Sequence, residues 1–173
     1  MDSDNVKKTQ YWIFIILSLI WMAFIFINSA LKGHASSNLS KAVIGLLVNV
    51  SKWFGDGHAV TRLREFVKGD FFHLFIRKSA HFMEFGILGL LLLGASGIFR
   101  GIRRNYMKRA LLASGFASLY AVSDEFHQYF VEGRVCSAGD VLIDSAGALV
   151  FCLAAAYIII KIRKKRAEGY EES

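Results

Sequence analysis

Apolar residues fall into four windows along this chain, at 12–31, 79–99, about 110–131 and 141–160, separated by polar connections. A helix needs about 20 predominantly apolar residues to cross the ~30 Å hydrocarbon layer of a bilayer. The pattern therefore predicts an all-α, polytopic membrane helix bundle of four transmembrane helices. The first window holds no ionisable residue, carries Trp12 and Trp21 next to Tyr11, and lacks the small-residue cleavage pattern of a removable signal peptide, so it reads as a retained helix. The long connection 32–78 has its own period. Leu39, Val43, Leu46, Leu47, Val50 and Phe54 recur at spacings of three and four, with Lys41, Ser51 and Lys52 off the stripe. Ser36, Ser37 and Asn38 offer caps before this amphipathic helix, and Gly55 and Gly57 a stop after it. A second piece, from Leu63 through Phe66, Val67, Phe71 and Leu74 to Phe75, repeats the spacing across an interruption at Gly69-Asp70. Such helices either lie in the membrane interface or cover the bundle as a lid.

Composition supports the membrane class. The 173 residues are 54% hydrophobic, with fifteen Phe and no Pro, and the mean hydropathy is +0.41, too apolar for an ordinary water-soluble domain. The net charge of +7 would suit nucleic acid, but the cations sit in blocks flanking the apolar windows, which argues for no nucleic-acid partner and for the bilayer itself. Lys7 and Lys8 precede the first window, Arg100, Arg103, Arg104, Lys108 and Arg109 fill the second connection, and Lys161, Arg163, Lys164, Lys165 and Arg166 follow the last. With four spans these blocks share one side. The positive-inside rule makes that side cytoplasmic, with both termini there, in a bacterial-type plasma membrane. The more dispersed cations of 32–78 weaken the asymmetry without reversing it. The organisation predicted is a cytoplasmic segment 1–10, a single helical domain 11–162 and a basic tail 163–173. Cys136 in the outer connection and Cys152 in the last span lie at different depths and predict no disulfide, and no Cys/His spacing resembles a structural zinc site.

Topology turns the polar residues inside these windows into a pattern. The stretch from Ser123 through Asp124, Glu125, His127 and Gln128 to Gly133 and Arg134 ends the third span. His81 and Glu84 lie near the start of the second, and Asp140 and Asp144 near the start of the fourth. At about 1.5 Å per residue, Glu84, Asp124 and Asp144 sit roughly 5–11 Å below the outer edge of the hydrocarbon. Each set has i,i+3 or i,i+4 spacing and so makes one stripe: His81 with Glu84, Tyr120 with Asp124 and Gln128, Asp140 with Asp144. Because lipid supplies no hydrogen bonds, the stripes should face the bundle interior or an outward cavity. Gly86, Gly89, Gly115, Gly139 and Gly147 would let the helices approach closely. Arg134, with Lys78 or Arg77, supplies the nearest compensating charge.

These residues resemble a known family. Arg77-Lys78-Ser79-Ala80-His81-Phe82-Met83-Glu84-Phe85 is similar to its RKxxHxxEY segment, Ser123-Asp124-Glu125 through Gln128 to its SxDExxQ segment, and Gly133-Arg134 through Asp140 to Asp144 to its GRxxxxxDVxxN segment, in the VanZ-like membrane proteins. The resemblance covers about residues 75–150, to which the first 75 residues add a compatible span. Glu132 stands where proline is usual before Gly-Arg, and Asp144 where Asn is frequent, which adds a negative charge. Membership implies reduced susceptibility to teicoplanin-type glycopeptides, with no biochemical activity attached.

The residues themselves allow three classes of function. As an enzyme, a His/carboxylate site at outer-leaflet depth would run general acid/base chemistry on a lipid-linked cell-envelope precursor or a lipid headgroup. Asp124 or Glu125 would be the base, His81 the acid or orienting partner with Glu84 beside it, and Asp140 and Asp144 would position them. Arg134 would grip phosphate or carboxylate, with Gln128, Lys78 and Ser123 as further substrate contacts. A divalent metal on His81, Glu84 and Asp124 is a variant of this scheme. As a binding protein or transporter, the pocket would hold a precursor, lipid or lipoglycopeptide without covalent chemistry, although the inner halves of the spans carry almost no ionisable group for a pathway. As structure alone, His81 with Glu84 and Arg134 with Asp124 or Asp140 would fix helix register, which leaves the remaining acids unpaired.

Overall fold

A computed structural model describes residues 3–30, 33–55, 57–131 and 136–171. Among them the chain is all helix: α1 (Ser3–Ala30), α2 (Gly33–Ser51), α3 (His58–Lys68), α4 (Asp70–Ala95), α5 (Tyr106–Gln128) and α6 (Ala138–Glu171), with short 3-10 turns at Lys52–Phe54 and Ser96–Ile98. Three helices are long and apolar enough to cross a membrane, over Asn5–Ala30, Phe71–Ile98 and Ala138–Glu168. The fourth expected span corresponds to α5. Its 23 residues reach about 34 Å, but Lys108, Arg109, Asp124 and Glu125, with several Ser and Gly, dilute its hydropathy.

The helix boundaries follow local chemistry. Gly69 is extended (φ −70, ψ 151) and divides the second amphipathic piece. Its N–H donates to Phe66 O and closes α3, while Phe72 N and His73 N donate to Gly69 O and open α4. Leu63, Phe66 and Val67 thus belong to α3, whereas Phe71, Leu74 and Phe75 belong to the helix that continues as the second span, nine residues before its expected start at 79. The side chain of Asn105 accepts from Lys108 N at 2.9 Å and caps α5. In α2 the helix already begins at Gly33, before the Ser36–Asn38 caps. Among its described side chains Ile44 and Ser51 are buried, while Leu46, Leu47 and Val50 of the expected stripe are exposed.

Packing is inverted relative to a soluble domain. α4 packs on α1, α5 and α6, and α5 packs on α6 and α1. Between them lie Ile25, Phe85 and Leu88 with Ala117, Ala121 and Ala148, and a second cluster of Leu93, Ala110, Ala113, Cys152 and Ala156. Small residues fill the contacts while large ones such as Leu119 (68% exposed) and Leu142 (70%) face outward. This distribution is expected where lipid, not water, is the solvent and close backbone approach drives association. The closest approach is at Gly147, where an added Cβ would sit 2.2 Å from Phe82 O; Gly86 and Gly89 face Phe151 and Cys152 on α6 in the same way. Gly115 and Gly139 do not serve this role: a Cβ at Gly115 meets nothing within 4 Å, and at Gly139 only Ser137 Oγ at 3.3 Å. Both cysteines are free, Cys136 exposed and Cys152 buried.

Candidate functional site

The three charged stripes converge at one end of the bundle, where α1 and α5 finish and α6 begins. Asp124 on α5 is 2% exposed. Its Oδ2 accepts from Ser29 Oγ of α1 at 2.8 Å and from Gln128 Nε2, one turn on, at 2.7 Å; Gln128 Nε2 also lies 3.3 Å from Ser29 Oγ. Tyr120 OH, a turn below, donates to Met22 O at 2.7 Å, and Trp21 Nε1 donates to Glu84 O at 2.9 Å. These bonds fasten α5 and α4 to α1 at the depth of the acids.

Asp144 on α6 is the centre of the cluster. It is 1% exposed, and the carboxylates of Asp124, Asp140, Glu125 and Glu84 lie close enough to act on it. Five carboxylates from three helices therefore share one region. Oδ1 of Asp144 and Oδ1 of Asp124 are both buried without a hydrogen-bond partner among the described residues. Buried oxygens of this kind are costly unless something else satisfies them.

The other acids have partners. Lys78 Nζ of α4 forms an ion pair with Asp140 Oδ1 in the first turn of α6, both side chains partly exposed. His81 Nδ1 lies 3.8 Å from Glu84 Oε2, both half-buried. Glu125 Oε2 accepts from Ser137 N at 2.9 Å, just before α6 begins, where the positive end of the helix favours a carboxylate. Ser137 Oγ in turn accepts from Gly139 N at 3.2 Å. Next to them the Cys136 thiol, although exposed, is pushed up, first by desolvation and then by the Glu125 and Asp140 carboxylates.

Of the residues singled out from sequence, the fold gathers His81, Glu84, Asp124, Glu125, Asp140, Asp144, Gln128 and Lys78. Ser123 stands apart: it is exposed on α5, because the residue preceding Asp124 points about 100° around the helix. Arg134, with Glu132 and Gly133, lies outside the described residues. His127 stacks on Phe26, with ring centroids 4.2 Å apart. Among the described residues no group of three or more His, Cys, Asp and Glu side chains is placed to hold a metal ion, so the His81, Glu84 and Asp124 ligand set is not assembled. Sequence reasoning missed Ser29. It sits in an uncharged helix, and only its place near the end of the first span, level with the acids, could have pointed to it.

The model of the VanZ/LLP1 family matches residues 14–161. The match reaches beyond the three charged segments to take in nearly all of the first apolar window and the whole of the last. No curated protein and no solved structure matches the chain.

Proposed function

The chain belongs to the VanZ/LLP1 family over residues 14–161, and from that premise we propose that it crosses the plasma membrane four times, termini inside, and seats the polar part of a lipid-linked cell-envelope precursor in its outer acid cluster. The observation that carries this reading is the pair of buried oxygens, Asp144 Oδ1 and Asp124 Oδ1, that have no hydrogen-bond partner among the described residues, in a region of five carboxylates. The carboxyl oxygens offer acceptors, and a donating group such as an ammonium, amide or hydroxyl of the precursor's peptide or sugar would satisfy them. Occupying or shielding that precursor would lower susceptibility to teicoplanin-type antibiotics.

A second reading is turnover. It is favoured by His81 beside Glu84, Nδ1 to Oε2 3.8 Å, which puts a group able to carry protons at the edge of the acid cluster. Glu125 is the weaker candidate for the base, since Ser137 N already occupies its Oε2.

The test pairs cells with purified protein. Asp144→Asn, Asp124→Asn and His81→Ala variants that insert and melt like the parent should lose protection against teicoplanin. The purified parent should retain lipid-linked precursor in mass spectra, and the two Asp variants should not. Full protection by both Asp variants sinks the proposal. Conversion of the precursor to a new mass, lost in His81→Ala, establishes turnover.

A further inference from the structure

At the opposite end of the bundle, where α1 begins, α4 gives way to α5 and α6 runs out, lies a cavity of about 880 Å3. Its walls carry Lys7, Arg100, Arg103, Arg104, Arg109 and Arg163 and no carboxylate. Two of these cations are committed to the fold. Arg109 is buried and donates to Leu93 O (2.8 Å), Ser96 Oγ (3.1 Å) and Gly94 O (3.4 Å), closing the C-terminal end of α4. Arg103 donates through Nε to Gly97 O at 3.0 Å and lies over the Tyr11 ring. Lys7, Arg100, Arg104 and Arg163 are exposed and form no ion pair among the described residues; Arg163 lies over the Tyr106 ring at 4.8 Å. The site thus has a fixed floor and a rim of four uncompensated cations, with a volume in the range of small-molecule sites.

We propose that this cavity binds the phosphate headgroup of an anionic glycerophospholipid. Guanidinium groups match phosphate oxygens in geometry and charge, and basic pockets at the ends of membrane helices are suited to such headgroups. A lipid is favoured over a free phosphate by what adjoins the cations. Tyr11, Tyr106 and Ile160 complete the lining, and exposed Trp12 and Ile13 on α1, with Tyr157 and Ile158 on α6, continue it as apolar surface for acyl chains. The inference rests on the bundle lying in a bilayer and is independent of the acid cluster's chemistry.

The experiment titrates the full-length protein, purified in a non-ionic detergent, with phosphatidylglycerol or phosphatidylcholine and counts retained lipid by native mass spectrometry. Phosphatidylglycerol should be retained at least about tenfold better. At about fivefold per cation, Arg100→Gln/Arg104→Gln/Arg163→Gln should lower its affinity on the order of a hundredfold. Lys161→Gln/Lys164→Gln/Lys165→Gln removes the same charge from α6 at positions that do not line the cavity and should cost less than about threefold, since charges facing water are screened. Excess inorganic phosphate should not displace the lipid. Equal retention of both lipids, equal loss in both triple variants, or displacement by phosphate overturns the proposal. Should the first triple variant melt early, Arg163→Gln alone decides: about a fivefold loss supports the site, and parent-like retention overturns it.

Discussion

Replacing Gly147 by Ala tests the packing that brings the acids together. The new Cβ would lie 2.2 Å from Phe82 O and 2.9 Å from Phe82 C, where ordinary contacts begin near 3.4 Å. The obstacle is backbone, so no rotamer change relieves it, and α6 must withdraw from α4 by about 1 Å. Overpacking of this kind costs about 1–3 kcal/mol. At about 2–4 °C per kcal/mol for a chain of this size, the melting temperature in detergent should fall by roughly 2–12 °C. Asp144 lies three residues earlier on the same helix, so the shift also moves the centre of the acid cluster and should weaken precursor retention more than stability. Gly115→Ala is the matched control: its Cβ meets nothing within 4 Å, and alanine favours helix by up to about 1 kcal/mol, so it should melt at or slightly above the parent temperature. A Gly147→Ala protein that melts like the parent, or a Gly115→Ala protein that falls equally far, would refute the close α4–α6 crossing.

Ser29→Ala removes a donor to Asp124 and should destabilise by about 1.5–3 kcal/mol, read by thermal melting, whereas Ser18→Ala, which loses a bond to Phe14 O of its own helix, should cost well under half of that. Arg109→Ala frees the Leu93 and Gly94 carbonyls and should cost about 3 kcal/mol, with Arg109→Lys recovering only part because it lacks the planar fork. A membrane-impermeant maleimide should reach Cys136 in intact cells; labelling only after permeabilisation would reverse the orientation. The thiolate is the nucleophile, and desolvation with the nearby Glu125 and Asp140 carboxylates raises the Cys136 thiol, so its labelling rate should keep climbing at pH values where an unperturbed thiol has levelled off. Glu125→Gln takes away one negative neighbour, lowers that titration and should speed labelling at a fixed neutral pH; an unchanged pH profile would show that Glu125 does not act on the thiol.

What could be read from sequence was what repeats with helical period or stands out against an apolar background. His81/Glu84, Asp124/Gln128 and Asp140/Asp144 were legible on both counts, and their convergence followed once alternate helices were run in opposite directions. Partnership was less legible. Nothing in the order of residues distinguishes Glu125, tied to Ser137 N, from Asp124 one position earlier, tied to Ser29, because which neighbouring helix each faces depends on rotation about the α5 axis. Glycine spacing likewise marks candidates without choosing among them: Gly89 and Gly147 lie on the α4–α6 seam, while Gly115 faces away from it. Arg109 read as a topology charge since a basic block flanks every span on that side, yet it is the one cation of that block that is buried, its donors taken by the carbonyls that end α4.

The two ends of the bundle solve opposite electrostatic problems, and that difference bears on how the protein works. At the basic end, most cations remain exposed to water and headgroups, so a large positive charge is cheaply held there. At the acidic end, Asp124, Glu125 and Asp144 are withdrawn from solvent, and Lys78 on Asp140 is the ion pair with a full-time cation found there among the described residues. A cluster whose sole purpose was to fix helix register would gain from replacing Asp144 by a neutral residue of like shape, because acids crowded into a buried site destabilise one another. Asp144→Asn therefore separates the possibilities by precursor retention. If the acid serves a ligand, the variant should melt at or above the parent temperature and lose precursor retention, since stability and binding then draw on the same buried acid in opposite directions. If the acid serves the fold alone, retention should be indifferent to the change.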